Sequence, residues 1–236
     1  MSATLWLLPV ALGDTPWELC LPPATREAAC RLTHFVAENA KTARAELKRI
    51  GHPVPLRELA IEQLPATPTA ADVERLLAPL REGRDMGLMS EAGCPAVADP
   101  GALLVRRAHE LGLIVKPLVG PSSILLALMA SGLDGQRFAF HGYLPARDPE
   151  RSLRIAELEQ ESARLKQTQI FIETPYRNRA LFAALLLACR PETRLCLATD
   201  LTLGSENIAT RRMAEWIAAS PPDLDKRPTV FLLLAD

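Results

Sequence analysis

The sequence of 236 residues lacks an apolar run of the roughly 18 residues that a membrane helix needs. Its start also lacks the positively charged segment of a secretory signal peptide. The five cysteines form no Cys-x-x-Cys pair and have no paired histidine spacing, so structural zinc is not expected. We therefore expect a cytoplasmic protein with reduced, buried thiols, no metal site and no membrane association.

The sequence also has almost no net charge, with a formal value of −1. A chain of this charge has no general attraction for nucleic acid, so any RNA binding would need a local basic patch. No Gly-x-Ser-x-Gly, Walker loop or zinc pattern is present, and the four histidines fall in no recognisable catalytic frame. The composition, 48% hydrophobic and 23% charged, is that of an ordinary globular protein with one large core or two small ones.

The most informative stretch is residues 86–132, which read as strand, loop, helix, strand, loop, helix. The first loop contains Gly93 and ends at Asp99, which we expect to cap a helix with Pro100 at its first position. The second loop is residues 120–123. In open α/β sheets such loops bind ligands, but the pattern is equally compatible with simple turns between sheet and helices.

Repeated strand-then-helix units with short loops in the first half of the chain indicate a parallel sheet covered by helices. We predict two α/β domains, residues 1–119 and 120–236, with a hinge at residues 120–123. The helix over residues 122–131 is apolar nearly all round and should be buried. A helix is also predicted over 73–81 and another over 211–219, followed by a closing strand over 228–234.

The order of three motifs resembles one known group of proteins. Ser90-Glu91-Ala92-Gly93-Cys94-Pro95, then Asp99-Pro100-Gly101, then Val119-Gly120-Pro121-Ser122-Ser123 is similar to the tetrapyrrole methylase superfamily, the class III S-adenosylmethionine-dependent methyltransferases. The branch most similar is that of the small-subunit ribosomal RNA 2′-O-ribose (cytidine) methyltransferases. The similarity continues through residues 140–145 and 173–177, and so covers about residues 85 to 205.

Three places depart from the pattern of that branch. The loop over residues 11–14 is shorter and has one glycine fewer. The branch has Glu-Asp-Thr-Arg where this chain has Glu38-Asn39-Ala40-Lys41, and an Arg-Glu pair where it has Thr199-Asp200. These changes leave open a cofactor-binding module that has lost catalysis.

The resemblance implies a fold of two α/β domains with the cofactor cleft between them, and S-adenosyl-L-methionine as the cofactor. It places around the cofactor a set of small and polar residues, namely Ala92, Gly93, Val97, Asp99, Ser122, Ser123, Thr174 and Pro175. Thr174 and Pro175 would lie near the adenosine; the alternative is that Thr174 only caps a helix. The resemblance also implies a homodimer.

The methyl acceptor and the general base are less well defined. Glu38 and Glu91 are the acids placed at strand ends and are the candidate catalytic residues; Glu38 is equally readable as a solvated strand end. The leading hypothesis is 2′-O-ribose methylation of ribosomal RNA in the small subunit, and the alternative is a small-molecule acceptor such as a tetrapyrrole. An RNA acceptor would need a basic patch, for which the candidates are Arg147, Arg151, Arg154, Arg177 and Arg179.

Overall fold

The computed structural model describes residues 3–236 and divides into two compact units, one ending at Ser122 and the other starting at Ser123. Each unit has its own five-stranded sheet and its own core. The predicted α/β class is therefore confirmed, while the predicted boundary between residues 119 and 120 stays a prediction. No helix within residues 3–236 combines the length and apolarity needed to cross a membrane.

The first unit alternates strands and helices. Its strands are β1 (Thr4–Leu8), β2 (His34–Ala37), β3 (Ala60–Gln63), β4 (Met86–Met89) and β5 (Ile114–Pro117); its helices are α1 (Pro23–Cys30), α2 (Ala40–Arg49), α3 (Ala70–Leu76), α4 (Ala78–Arg81) and α5 (Ala102–Glu110). All neighbouring strands are parallel, in the order β3-β2-β4-β1-β5. The sequence-based prediction of a parallel sheet is confirmed for this unit.

Local sequence fixes the ends of the helices in this unit. The Asn39 side chain accepts hydrogen bonds from the backbone N–H groups of Lys41 and Thr42, at 2.9 and 3.3 Å, and so caps α2. Thr69 and Asp72 form a capping box at the start of α3. The single helix predicted over residues 73–81 is instead two, because the chain breaks its helical geometry at Leu77.

The sheet of the first unit is covered on both faces. On one face, Val36 of β2 and Leu88 of β4 pack against residues of α3, α4 and α5, including Leu104. On the other face, Phe35 of β2 packs against residues of α1 and α2, including Leu47. Burial on both sides explains why β4 is buried at all four positions and reads as a continuous apolar run.

The second unit has a mixed sheet. Its strands are β6 (Phe138–Tyr143), β7 (Thr168–Ile172), β8 (Arg194–Thr199), β9 (Asn207–Arg212) and β10 (Thr229–Leu234); its helices are α6 (Ser123–Ser131), α7 (Glu150–Leu165), α8 (Asn178–Ala188) and α9 (Met213–Ala218). The strand order is β6-β7-β10-β8-β9, and only β6 and β7 run parallel. The parallel arrangement predicted from the first half of the chain does not extend to this unit.

Aromatic packing forms the core of the second unit. Phe171 and Phe231 stack with ring centroids 5.9 Å apart, and Phe182 meets Trp216 edge-on at 5.6 Å. The indole N–H of Trp216 donates to the carbonyl oxygen of Leu195 at 2.9 Å, so its polar group is satisfied in the core.

Two expectations for the second unit are wrong. Residues 207–212 form an edge strand, so the helix predicted over 211–219 starts only at Met213. The apolar helix α6 is not fully buried, because Leu125 is 50% and Met129 80% exposed while Ala127 is buried. A helix that is apolar all round therefore covers its sheet with one face and presents the other to solvent.

Candidate functional site

The loops that follow the strands of the first unit meet at one edge of its sheet. Because all five strands are parallel, their carboxyl ends lie on the same edge, where ligands bind in open α/β sheets. The loop after β4, residues 90–101, is the longest of the motifs that the sequence singled out. It lies beside the end of β1, since Val10 and Gly93 exchange both backbone hydrogen bonds, at 3.0 and 3.1 Å.

Two glycines at this edge have little free space around them. Gly93 is buried with a φ of +75°, and a Cβ there would lie 3.3 Å from Cδ2 of Leu12. A Cβ at Gly120 would lie 2.4 Å from Cβ of Pro9, which real side chains do not allow. Ser90 closes the turn by donating from its hydroxyl to the carbonyl oxygen of Gly93 at 3.1 Å. The edge is therefore built from closely approaching backbone, and side chains larger than hydrogen are excluded from it.

Asp99 organises the loop rather than the helix. Its two carboxylate oxygens accept from the backbone N–H groups of Ala96, at 2.9 Å, and Gly101, at 2.7 Å. Ala96 and Ala98 have φ values of 65° and 62°, which non-glycine residues rarely adopt, so the carboxylate stabilises a strained backbone. The prediction that Asp99 caps α5 is wrong: Gly101 stands at the N-cap and no side chain caps the helix.

Three carboxyl groups lie near one another at this edge. Burial raises the pKa of Glu38 above its ordinary value, the nearby charge of Asp99 raises it further, a backbone hydrogen bond from Glu91 lowers it and the Glu91 charge raises it. Burial also raises the pKa of Asp99, against the lowering effect of its bonds to Gly101 and Ala96. Glu38 is thus held as a weaker acid than usual beside two other acids.

The loop around Gly93 contains four of the predicted cofactor residues. Gly93 is buried and Asp99 half-buried, whereas Ala92 is exposed and Val97 is 50% exposed. Ser122 is half-buried at the end of the first unit. The first unit therefore supplies backbone, small apolar groups and carboxylates to one edge.

The remaining predicted cofactor residues belong to the second unit. Ser123 is the first residue of α6, and Thr174 and Pro175 follow β7. The Thr174 side chain does not cap a helix, so the capping alternative is wrong. That Ser123, Thr174 and Pro175 join the loop of residues 90–101 around one cofactor stays a prediction.

A buried carboxylate fixes the loop after β7. Glu173, with a side chain only 3% exposed, accepts from the guanidinium of Arg177 at 2.7 Å and from the backbone N–H of Thr174 at 2.6 Å. The Thr174 hydroxyl lies 3.2 Å from the same oxygen. Three groups of one short loop thus share one carboxylate oxygen, which fixes the conformation of residues 173–177.

A second buried carboxylate stands where the related branch has its Arg-Glu pair. Asp200 accepts from Nε of Arg227 at 2.8 Å and from the hydroxyl of Ser205 at 2.7 Å. Arg227 also donates to the carbonyl oxygen of Ser205 at 2.6 Å. Sequence reasoning missed Arg227, because it lies far along the chain from Asp200 and belongs to no motif. The available sequence signal is an aspartate directly after a buried strand, because a carboxylate in that position needs a cationic partner elsewhere in the chain.

Neither metal ions nor reactive thiols have a role that these residues support. Within residues 3–236, no group of three or more histidine, cysteine or carboxylate side chains is placed to hold a metal ion. Cys94 is the cysteine of the 90–101 loop, and its thiol donates to the carbonyl oxygen of Pro121 at 3.4 Å. Burial raises the pKa of this thiol, which keeps it protonated and structural.

Comparison with known proteins identifies the family. The family model for Tetrapyrrole (Corrin/Porphyrin) Methylases matches residues 20–216, which is more than half of the chain. The chain is 36% identical over 223 residues to "Ribosomal RNA small subunit methyltransferase I" of Xylella fastidiosa, covering 94% of this chain and 76% of that protein. It is also 36% identical over 148 residues to the protein of the same name from Pseudomonas aeruginosa, covering 61% of this chain and 51% of that protein. The chain thus spans about half the length of several curated relatives that it matches.

Solved structures agree on the fold. "Crystal structure of the methyltransferase CobJ" matches with a TM-score of 0.64 at 19% identity, covering 99% of this chain and 93% of the other. A cobalt precorrin-4 methyltransferase, CbiF, matches with a TM-score of 0.62 at 13% identity, covering 98% and 94%. The two-sheet architecture predicted from the sequence is confirmed by these matches. The chain belongs to the tetrapyrrole methylase family.

Proposed function

We propose that this protein is an S-adenosyl-L-methionine-dependent methyltransferase that methylates a ribose 2′-hydroxyl in small-subunit ribosomal RNA. The proposal rests on one observation: Glu38, Glu91 and Asp99 lie near one another at the carboxyl edge of the first sheet, where the loop of residues 90–101 packs closely around Gly93. The printed names of the curated relatives, which are ribosomal RNA methyltransferases, support the acceptor.

The residues of this edge fit the proposed cofactor chemically. S-adenosyl-L-methionine is a cation with an amino acid end, and the groups that act on the Glu38 carboxyl are themselves acidic. A cationic ligand would relieve that repulsion. Gly93 lets the loop backbone pack closely against Leu12, and the half-exposed Val97 of the same loop offers an apolar contact. In the second unit, Thr174 and Pro175 are proposed to contact the adenosine.

The bound cofactor would supply an activated methyl group on sulfur. The loop of residues 90–101 would hold this cofactor, and the methyl carbon would pass from sulfur to the ribose oxygen with the bonding electron pair left on sulfur. The hydroxyl proton must pass to a base. The protein's main contribution is to hold the hydroxyl in line with the methyl group, and proximity of this kind supplies much of the rate.

Glu38 is the proposed base. Its pKa is raised by burial and by Asp99, which makes its carboxylate a stronger proton acceptor than an exposed glutamate. It follows β2 directly, so the sheet fixes its backbone, and Asn39 anchors the next residue by capping α2. Glu91 is the exposed neighbour and is proposed to act on Glu38 rather than on the substrate.

The proposed setting is the cytoplasm, where the small ribosomal subunit is the partner, and the proposed assembly is a homodimer. Two exposed apolar side chains of helix α6 in the second unit support an interface between copies: Leu125 is 50% and Met129 80% exposed. A tetrapyrrole acceptor is the second candidate. It is favoured by the likeness of the whole fold to CobJ and CbiF, the latter named as a precorrin methyltransferase.

Transfer of a labelled methyl group tests the proposal. The protein is incubated with S-adenosyl-L-methionine labelled in the methyl group and with small ribosomal subunits from cells that lack their own enzyme of this kind. We expect label in the RNA that resists the alkaline hydrolysis that cleaves next to free 2′-hydroxyl groups. Label in a tetrapyrrole such as uroporphyrinogen, and none in RNA, would establish the second candidate.

A further inference from the structure

The two tyrosines of the chain share one exposed place in the second unit. Tyr143 is 59% and Tyr176 is 69% exposed, which makes them the most exposed aromatic side chains among the residues that the structure describes. Tyr143 ends β6 and is paired in register with Ile172, the last residue of the neighbouring β7. Tyr176 lies in the turn that follows β7. Both rings therefore stand at the same end of two adjacent parallel strands.

Arg177 links the two tyrosines. Its guanidinium carbon lies 5.4 Å from the centroid of the Tyr176 ring, and both phenol groups are within electrostatic range of the guanidinium. The same guanidinium is held at 2.7 Å by the buried Glu173 carboxylate. The guanidinium over the Tyr176 ring is therefore fixed by the protein before any ligand arrives, which reduces the entropy lost on binding.

The backbone of β6 is shaped to present Tyr143. The strand register shifts by one residue between Phe140 and Tyr143, and Gly142 has a φ of +66° in this interval. The added residue places Tyr143 on the same sheet face as Phe140, where simple alternation would place it on the other face. An exposed tyrosine re-aimed by an irregularity in a strand is typical of a binding surface rather than of a solvated strand end.

We propose that Tyr143, Arg177 and Tyr176 form a stacking platform for an unpaired base of the RNA acceptor. This inference rests on the proposed function and adds that the acceptor is read as a single-stranded segment. Aromatic rings and arginine planes stack on bases whatever their sequence, and they act together in proteins that bind single strands. A platform of this kind would hold the unpaired base while its ribose 2′-hydroxyl faces the proposed methyl donor.

The charge around the platform suits an RNA backbone. Arg147 and Arg179, which follow Tyr143 and Tyr176 closely in the chain, are both exposed. Neither takes part in the ion pairs formed within residues 3–236, whereas Arg151 pairs with Asp148 and Arg154 with Glu157. Exposed cations a few residues along the chain from two exposed aromatic rings are the combination expected for phosphate and base contacts together.

Binding to two matched ligands tests the platform. One is a single-stranded RNA of mixed sequence without secondary structure; the other has the same length and charge but abasic riboses. The parent protein is compared with Tyr143→Ala and Tyr176→Ala, and with Tyr143→Phe and Tyr176→Phe as controls that keep the ring. Circular dichroism verifies that each variant is folded, as expected for substitutions at two exposed side chains.

Each alanine variant should bind the normal RNA roughly 5- to 100-fold more weakly, whereas the phenylalanine variants should bind it like the parent. Affinity for the abasic strand and the slope of affinity against salt should not change, because no charge is removed. Unchanged binding of normal RNA by the alanine variants, or equal losses on both ligands, would overturn the platform and leave the RNA acceptor standing. A parent protein that binds neither strand would overturn the RNA acceptor and the platform with it.

Discussion

The backbone of Glu91 lies close enough to the Glu38 carboxyl to lower its pKa, whereas the charge of the Glu91 side chain raises it. The two residues belong to the loops that follow two neighbouring parallel strands, β2 and β4. Two acids therefore lie near each other at the edge where the cofactor is proposed to bind, although like charges repel. Such an arrangement weakens the folded state and is retained where a carboxylate with a raised pKa has a task.

Replacing Glu38 with glutamine tests its role as the base. The rate of methyl transfer should fall by about 10²-fold or more, because a positioned base contributes 10²–10⁴-fold and an amide takes up no proton. In the parent, the rate should rise with pH through the raised pKa of Glu38, and that limb should disappear in Glu38→Gln. Glu91→Gln is the matched variant, and its rate should fall far less. The reverse ranking would assign the base to Glu91.

The same substitution has an opposite effect on stability. Because the folded-state pKa of Glu38 is raised, its protonated form favours folding, and that stability is lost as pH rises through the folded pKa. Glu38→Gln should therefore melt at a higher temperature than the parent at neutral pH. The difference should vanish in acid, below the ordinary pKa of glutamate. A neutral-pH melting point below that of the parent would mean that the carboxylate is stabilising.

The Asp200–Arg227 pair should be a major source of stability in the second unit. The side chains are 8% and 22% exposed, so Arg227→Ala leaves a buried carboxylate without its cation and should lower the unfolding free energy by about 3 kcal/mol. Adding Asp200→Asn to that variant should restore part of the loss. The exposed pair of Arg194 and Asp236 provides the control, for which Arg194→Ala should cost below about 1 kcal/mol. Equal losses in urea unfolding of the two arginine variants would contradict this account.

Salt dependence should identify the cations that meet RNA. Of the five arginines proposed from the sequence, Arg151, Arg154 and Arg177 are held by carboxylates of this chain, whereas Arg147 and Arg179, here called the free arginines, pair with no carboxylate in the described part of the chain. Replacing both free arginines with alanine should weaken binding to small-subunit RNA. It should also reduce the slope of log affinity against log salt by between about 1 and 2. Arg57→Ala, at a side chain 86% exposed in the first unit, is the control and should leave the slope unchanged. An unaltered slope in the double variant would remove these arginines from the interface.

The first unit was largely predictable from sequence because its strands are buried on both faces. Strand β4 reads as an uninterrupted apolar run and is followed by Gly and Pro, and the loop motifs then fall at the ends of strands. The edge strand β9 was missed, because its Thr210, Arg211 and Arg212 are exposed and give no apolar alternation. A sequence pattern indicates a strand through the side chains that the strand buries, and an edge strand with a solvated face buries few of them.

The site was predictable in its loops but not in its long-range pairs. The Gly93 loop follows from its spacing, whereas the role of Asp99 depends on backbone N–H groups that point toward it only in the folded loop. Arg227 reaches Asp200 because β10 lies beside β8, and no feature of either residue's neighbours in sequence indicates this pairing. Composition predicts that helix α6 is buried because all its faces are apolar, but composition does not show which face meets the sheet and which remains exposed.

The most direct test of the central claim is calorimetric titration of S-adenosyl-L-methionine into the parent, Gly93→Val and Gly112→Val. Both glycines have a positive φ, +75° and +68°, so both variants carry similar backbone strain. Gly112 lies before β5, away from the carboxyl edge of the sheet, and has open space around it. The account predicts that the parent and Gly112→Val bind the cofactor alike and that Gly93→Val, verified as folded, does not bind it. Binding by folded Gly93→Val with the affinity of the parent would place the cofactor elsewhere and contradict the account.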